Sequence, residues 1–121
     1  YSPRTEHGSS LSACMYALLA CRCGDAVSAY PFFLKSAKAD WDGGGKQWAG
    51  LVYIGGTHPA AAGGAWKVLA QGFAGLEVTE DGAKVNPCLP EEWERVSFRF
   101  CVKGKWYRAE LTQEKGEITA L

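Results

Sequence analysis

Residues 66–85 read Trp-Lys-Val-Leu-Ala-Gln-Gly-Phe-Ala-Gly-Leu-Glu-Val-Thr-Glu-Asp-Gly-Ala-Lys-Val. The period of the apolar residues changes inside this stretch. Up to about Gly72 the spacing of Trp66, Val68 and Leu69 is helical, and after Gly75 apolar and polar residues alternate. Leu76–Val78 and Ala83–Val85 flank Glu80-Asp81-Gly82, which reads as a hairpin turn. Further on, Val96, Phe98, Phe100 and Val102 alternate with Arg95, Ser97, Arg99 and Cys101, the pattern of a strand with one buried face. Lys103-Gly104-Lys105 and Glu114-Lys115-Gly116 punctuate two more runs, Trp106–Leu111 and Glu117–Leu121.

Working back from Gly75, three helices are expected, over about 10–23, 25–40 and 58–72. Ser9, Ser10 and Ser12 are residue types that cap a helix start, and Leu11, Cys14, Met15, Leu18 and Leu19 follow at helical spacing up to Gly24. This first helix has almost no polar face, so it belongs inside a larger assembly. Asp25 can cap the second helix, in which Ala26, Ala29, Tyr30, Phe33, Leu34 and Ala37 form a stripe. Pro31 should kink that helix or mark its true start, and Lys35, Lys38 and Asp40 read as a solvated face. Residues Asp42 to Gly56 read as an irregular loop. The third helix has Pro59 in its first turn, and its Gly63-Gly64 pair implies that another backbone or a ligand comes close. Helices followed by antiparallel strands define an α+β fold.

The chain has 121 residues, one domain's worth, with 47% hydrophobic and 21% charged residues, which excludes a disordered chain. Thirteen basic and thirteen acidic side chains leave no net charge, so neither nucleic acid nor a membrane surface is an expected partner. The uncharged run from Gln47 to Trp66 contains five glycines and Pro59, a poor composition for a membrane span. Five cysteines with no leader before them point away from a disulfide framework and toward a reducing compartment. The chain begins with Tyr1, as a piece of something longer would.

Both histidines of the chain stand where a helix opens: Glu6-His7-Gly8-Ser9-Ser10 before the first, and Gly55-Gly56-Thr57-His58-Pro59 before the third. The unpaired N–H groups and positive dipole end of such a helix attract an anion, and hydroxyl residues, glycine and a neighbouring His extend the attraction. The alternative is that Ser9, Ser10 and Thr57 are ordinary caps and the histidines ordinary loop residues. Cys21-x-Cys23 lacks zinc spacing and reads as core packing, so no metal site and no cofactor are expected. Gly43-Gly44-Gly45-Lys46 lacks the surroundings of a phosphate loop. Glu91, Glu92 and Glu94 read as a solvated turn; Trp41, Trp48 and Trp66 could stack on a sugar, but such residues are more often core side chains.

These motifs together resemble the C-terminal end of glycoside hydrolase family 65, whose members include the inverting phosphorylases of maltose, trehalose, kojibiose and nigerose. The residues that carry the resemblance are Thr5-Glu6-His7-Gly8-Ser9-Ser10-Leu11-Ser12, Gly56-Thr57-His58, Ala62-Gly63-Gly64-Ala65-Trp66, Gln71-Gly72-Phe73-Ala74-Gly75-Leu76, Asn86-Pro87-x-Leu89-Pro90-x-x-Trp93 and Val96-Ser97-Phe98-Arg99-Phe100. Gly8 and Thr57 replace commoner family choices. The resemblance implies an (α/α)6 barrel whose last helices are residues 1–74, followed by a small β-sheet domain over 75–121. It also implies that phosphate, in place of the water of an inverting hydrolase, attacks the anomeric carbon. The family's catalytic Glu lies on an earlier stretch of the barrel and has no match here, so no catalytic residue is expected in this chain. Ser9, Ser10 and His58 map onto the family's phosphate pocket, with His7, Gly56 and Thr57 beside them.

The expected function is therefore the C-terminal part of a cytoplasmic α-glucoside phosphorylase. Its partners would be inorganic phosphate and α-linked glucosides, and it would assemble as a homo-oligomer. The rival expectation is a free-standing, non-catalytic α+β binding or interaction module related to that family.

Overall fold

The computed structural model describes residues 11–41 and 57–121, together with the backbone of 47–49 and 52–54. Helix α1 spans Ser12–Arg22 and α2 spans Ala26–Ala37. Gly24, at φ 76°, reverses the chain between them in a conformation that L side chains rarely adopt. The Asp25 carboxylate accepts the Ser28 N–H at 2.9 Å and so sets the start of α2. Pro31 therefore lies inside a helix that begins five residues earlier; it neither starts nor ends α2. An interior proline costs about 3 kcal/mol, a cost opposed by the burial of Ala29, Phe33 and Ser36 from the same helix. At the start of α1 the cap position belongs to Leu11, which has no side-chain oxygen, and Ser12 is the first helical residue.

Helix α3 spans Pro59–Lys67 and continues as a π-type turn over Val68–Phe73, where an unbroken α-helix to about Gly72 was the expectation. The wider winding is seen in the Ala74 N–H donating to the Leu69 carbonyl at 2.9 Å, five residues back. Gly75 (φ 60°) ends it; a Cβ there would stand 2.1 Å from the Asn86 carbonyl oxygen, so only glycine fits. The Asn86 and Cys88 N–H groups then donate to the Ala74 and Phe73 carbonyls at 3.1 and 2.7 Å, tying the start of the sheet region to the end of the helices.

Within the stretch read in the sequence as an irregular loop, the described residues form a hairpin: β1 (Gln47–Ala49) pairs antiparallel with β2 (Val52–Ile54), with Trp48 opposite Tyr53. The run Val-Tyr-Ile is rich in residues that favour strands, a signal masked in the sequence by the glycines around it. Strands β3 (Glu77–Thr79) and β4 (Gly82–Lys84) form a second hairpin, and β5 (Arg95–Val102), β6 (Lys105–Thr112) and β7 (Gly116–Ala120) form an antiparallel meander. Register places Phe98 opposite Ala109 and Phe100 opposite Tyr107, so one face of the meander is apolar. Leu111 and Ala109 of that face are fully buried.

Aromatic side chains join the layers. Phe73 of the π-type turn sits edge-on to Phe33 at 5.4 Å and to Trp93 at 5.0 Å, and Trp93 also meets Tyr30 at 5.9 Å. Two tryptophans expected in the core are exposed instead. Trp66 lays its ring edge-on to Phe98 at 5.6 Å and presents the rest to solvent. Trp41, in the turn after α2, is 88% exposed. One face of α1 is half exposed: Leu11, Met15 and Leu19, four residues apart, are 48%, 50% and 55% exposed, whereas Leu18 and Phe33 are buried.

Close approach explains the second glycine of the Gly63-Gly64 pair. A Cβ on Gly64 would stand 2.5 Å from Cys14 Sγ, so α1 presses against α3 there; a Cβ on Gly63 would meet nothing within 4 Å. The two positions should respond oppositely to alanine. Gly63→Ala should stabilise by about 0.5–1 kcal/mol through helix propensity, and Gly64→Ala should destabilise by about 1–3 kcal/mol through overpacking. Urea denaturation of both variants measures the contrast, and equal shifts of the same sign would contradict the packing.

Candidate functional site

His58 and the turn after α2 form the candidate site. His58 holds the N-cap position of α3 with φ −109° and ψ 71°, and Pro59 follows at the first helical position. Its own side chain does not cap the helix. The ring instead turns to Asp40, three residues beyond the end of α2. The Asp40 carboxylate accepts the His58 backbone N–H on one oxygen at 2.7 Å and meets His58 Nδ1 on the other at 2.6 Å. Both ends of this clamp are set by a buried bond one turn away in each helix: Ser36 Oγ donates to the Ala61 carbonyl at 2.9 Å.

The backbone and ring hydrogen bonds from His58 hold the Asp40 carboxyl below its ordinary value of 3.8, the backbone bond contributing most. An ionised carboxylate can only accept, so the proton between the two side chains is carried by Nδ1. Nε2 is then the ring atom left to meet a ligand, and among the described residues it has no hydrogen-bond partner. The imidazole is about one-fifth exposed. Nε2 can donate to an anion when the ring is charged, or accept a hydrogen when it is neutral.

Of the expected site residues, Thr57 is exposed beside His58, whereas His7, Ser9, Ser10 and Gly56 lie outside the described residues. Asp40 was read in the sequence as part of a solvated face. Eighteen residues separate it from His58, and no local spacing marks such a pair. A half-open cleft of about 540 Å³ lies elsewhere, between the ends of α1 and the π-type turn and the β3–β4 hairpin; neither Thr57 nor His58 lines it.

All five cysteines are free thiols. Cys21 is packed in the core, and burial, with a smaller contribution from Cys88, pushes its thiol up to about 12; burial also raises Cys88. Cys23, its neighbour in the Cys-x-Cys motif, is exposed. Among the described residues, no group of three or more His, Cys, Asp and Glu could hold a metal ion. Glu91, Glu92 and Glu94 stand exposed before β5.

Comparison with known proteins assigns the chain to a family. Residues 1–67 match the central catalytic domain of glycosyl hydrolase family 65, and residues 76–121 match that family's C-terminal domain. The chain belongs to glycosyl hydrolase family 65. Over its full length it is 54% identical to a nigerose phosphorylase of Lachnoclostridium phytofermentans and 38% identical to a kojibiose phosphorylase of Caldanaerobacter subterraneus subsp. tengcongensis. Over 98% of its length it is 38% identical to a 1,2-alpha-glucosylglycerol phosphorylase of Bacillus selenitireducens. It spans only 16%, 15% and 16% of these three relatives. A solved chain from the human microbiome that carries the name of a kojibiose phosphorylase superposes over the whole of this chain with a TM-score of 0.80 at 24% identity, which places the two in one fold; this chain covers 17% of it. Among the described residues no helix is long and apolar enough to cross a membrane.

Two expectations follow from the titrating groups. The folded value of Asp40 lies below 3.8, so the stabilisation from its bonds is complete above that pH and is lost as pH falls through the lowered value. Asp40→Asn should therefore lose less stability than the parent chain as the pH falls from about 5 through the carboxylate range, a comparison made by urea denaturation at each pH. In timed alkylation, Cys23 and Cys101, both exposed, should react well before Cys21. Mass spectrometry of the peptides gives the order, and early labelling of Cys21 in folded protein would contradict its burial.

Proposed function

We propose that the protein carrying this chain is an inverting α-glucoside phosphorylase. In this reading residues 1–74 supply the last helices of an (α/α)6 catalytic barrel and residues 75–121 its C-terminal sheet domain. The exposed Leu11–Met15–Leu19 face of α1 would then pack against the other barrel helices. The observation that carries the reading to a site is the orientation of His58, whose Nδ1 is occupied by Asp40 and whose Nε2 is presented at the opening of α3.

The proposed role of the chain is to hold inorganic phosphate. Ser9 and Ser10 would offer hydroxyls, the start of α1 its free N–H groups, His58 would offer Nε2, and His7, Gly56 and Thr57 would support them. A phosphate oxygen bonds to the anomeric carbon of an α-linked glucoside as the glycosidic carbon–oxygen bond breaks. A carboxylic acid elsewhere in the protein gives its proton to the departing sugar oxygen. Attack from the opposite face inverts the centre and yields β-glucose 1-phosphate. The nigerose and kojibiose phosphorylases among the relatives support a glucose disaccharide as the substrate. A charged sugar phosphate stays where it is made, which fits a cytoplasmic enzyme; assembly as a homo-oligomer belongs to the same proposal.

The test is kinetic, in the full-length protein. Each charge-assisted hydrogen bond is worth about 1.5–3 kcal/mol, so Ser10→Ala and His58→Ala should each raise the KM for phosphate by about one to two orders of magnitude. The KM for the disaccharide should change far less. If the residues serve only the fold, the variants will melt earlier with phosphate kinetics unchanged.

A further inference from the structure

We propose that Asp40 is a positioning residue for phosphorolysis, acting through His58; the inference rests on the reading that His58 binds phosphate. An imidazole attached by two rotatable bonds can present either nitrogen by a half-turn of its ring. A ligand that needs one nitrogen at one place then loses affinity to the misplaced forms. Asp40 removes this freedom twice over. Its oxygen 2.6 Å from Nδ1 commits that nitrogen and its hydrogen, and its second oxygen, 2.7 Å from the His58 backbone nitrogen, locks the carboxylate to the same residue's main chain. Either bond alone would leave a swivel; together they fix the ring relative to the first turn of α3.

The arrangement also keeps the carboxylate from opposing the anion. Both Asp40 oxygens are turned to His58 donors, so the negative charge lies on the Nδ1 side of the ring and Nε2 faces away from it. A phosphate reached by Nε2 would meet the far edge of the imidazole, with the ring between the two anionic groups. With the ring charged, Asp40 therefore orients the Nε2–H donor without touching the substrate, as carboxylates behind metal-bound histidines do. The clamp is carried by the packing of two helices, because Asp40 follows α2 by one turn from Ser36 and His58 precedes α3 by one turn from Ala61, and Ser36 Oγ and the Ala61 carbonyl are themselves bonded at 2.9 Å.

The experiment compares Asp40→Asn, Asp40→Ala and His58→Ala in the full-length protein, with steady-state kinetics in both substrates, calorimetric titration of inorganic phosphate and a thermal melt. Asparagine keeps the volume and one acceptor, but it has no charge and cannot accept on both arms, so it serves if the alanine variant does not fold. Both Asp40 variants should raise the KM and the Kd for phosphate about tenfold, the worth of one charge-assisted hydrogen bond, with the KM for the disaccharide within about twofold of the parent. If His58→Ala weakens phosphate and both Asp40 variants leave it unchanged, the positioning role is wrong and the phosphate role of His58 stands. If the two Asp40 variants lower the melting temperature and raise both KM values alike, Asp40 is a structural cap and the proposal fails. If His58→Ala itself leaves phosphate binding unchanged, the phosphate reading of His58 fails, and the role of Asp40 falls with it.

Discussion

The hydrogen bond from Ser36 Oγ to the Ala61 carbonyl is the constraint on which the helical half depends. Ser36 is 1% exposed and is a polar side chain buried among apolar ones. A hydroxyl in that position without a partner would cost about 1–3 kcal/mol, and a bond to a backbone carbonyl of another helix removes that cost at one register only. A slide of α2 along α3 by one residue would break it. The same register brings Asp40 to His58. Packing of small residues, Ala13, Ala17, Ala29, Ala61 and Ala65, lets the three helices approach closely enough for this single polar bond to form.

The sheet half is joined by shape more than by polarity. Phe73 is fully buried, and its place depends on the π-type turn, which winds the end of α3 wide enough to turn that ring toward Phe33 and Trp93. Two backbone bonds, from Asn86 and Cys88 to Ala74 and Phe73, then hold the chain that leads to the meander. Gln113 adds a third tie by donating to the Pro90 and Trp93 carbonyls at 2.8 and 2.9 Å, which fixes the loop carrying Trp93 against the β6–β7 turn. The surface ion pairs, such as Lys84 with Glu77 and Arg95 with Glu110, are exposed, and pairs of that kind contribute little.

Much of this order is legible along the chain, because it depends on near neighbours. Asp25 caps α2 through a bond three residues away, Gly24 and Gly75 take positive φ where the helices stop, and the switch from helical spacing to alternation at Gly75 falls between the π-type turn and β3. The meander follows from the alternation of Val96, Phe98, Phe100 and Val102 and from the Lys103-Gly104 turn. Signals failed where glycines diluted the pattern, as at the β1–β2 hairpin, and where a residue well suited to a core stands exposed in a turn, as Trp41 does.

The amino-acid sequence by itself determined the α+β order, the bounds of the helices and of the strands after Gly75 to within a few residues, and the placement of a histidine at the opening of the third helix. Capping, backbone preference and periodicity act over three or four residues and can be read directly. Only the tertiary structure decided that Asp40 holds His58 across eighteen residues, that Ser36 bonds to Ala61 across twenty-five, and that Gly64 and not Gly63 lies under Cys14. Contacts of that kind depend on how helices cross, and a crossing is chosen by the packing of whole faces, which no local spacing in the chain encodes.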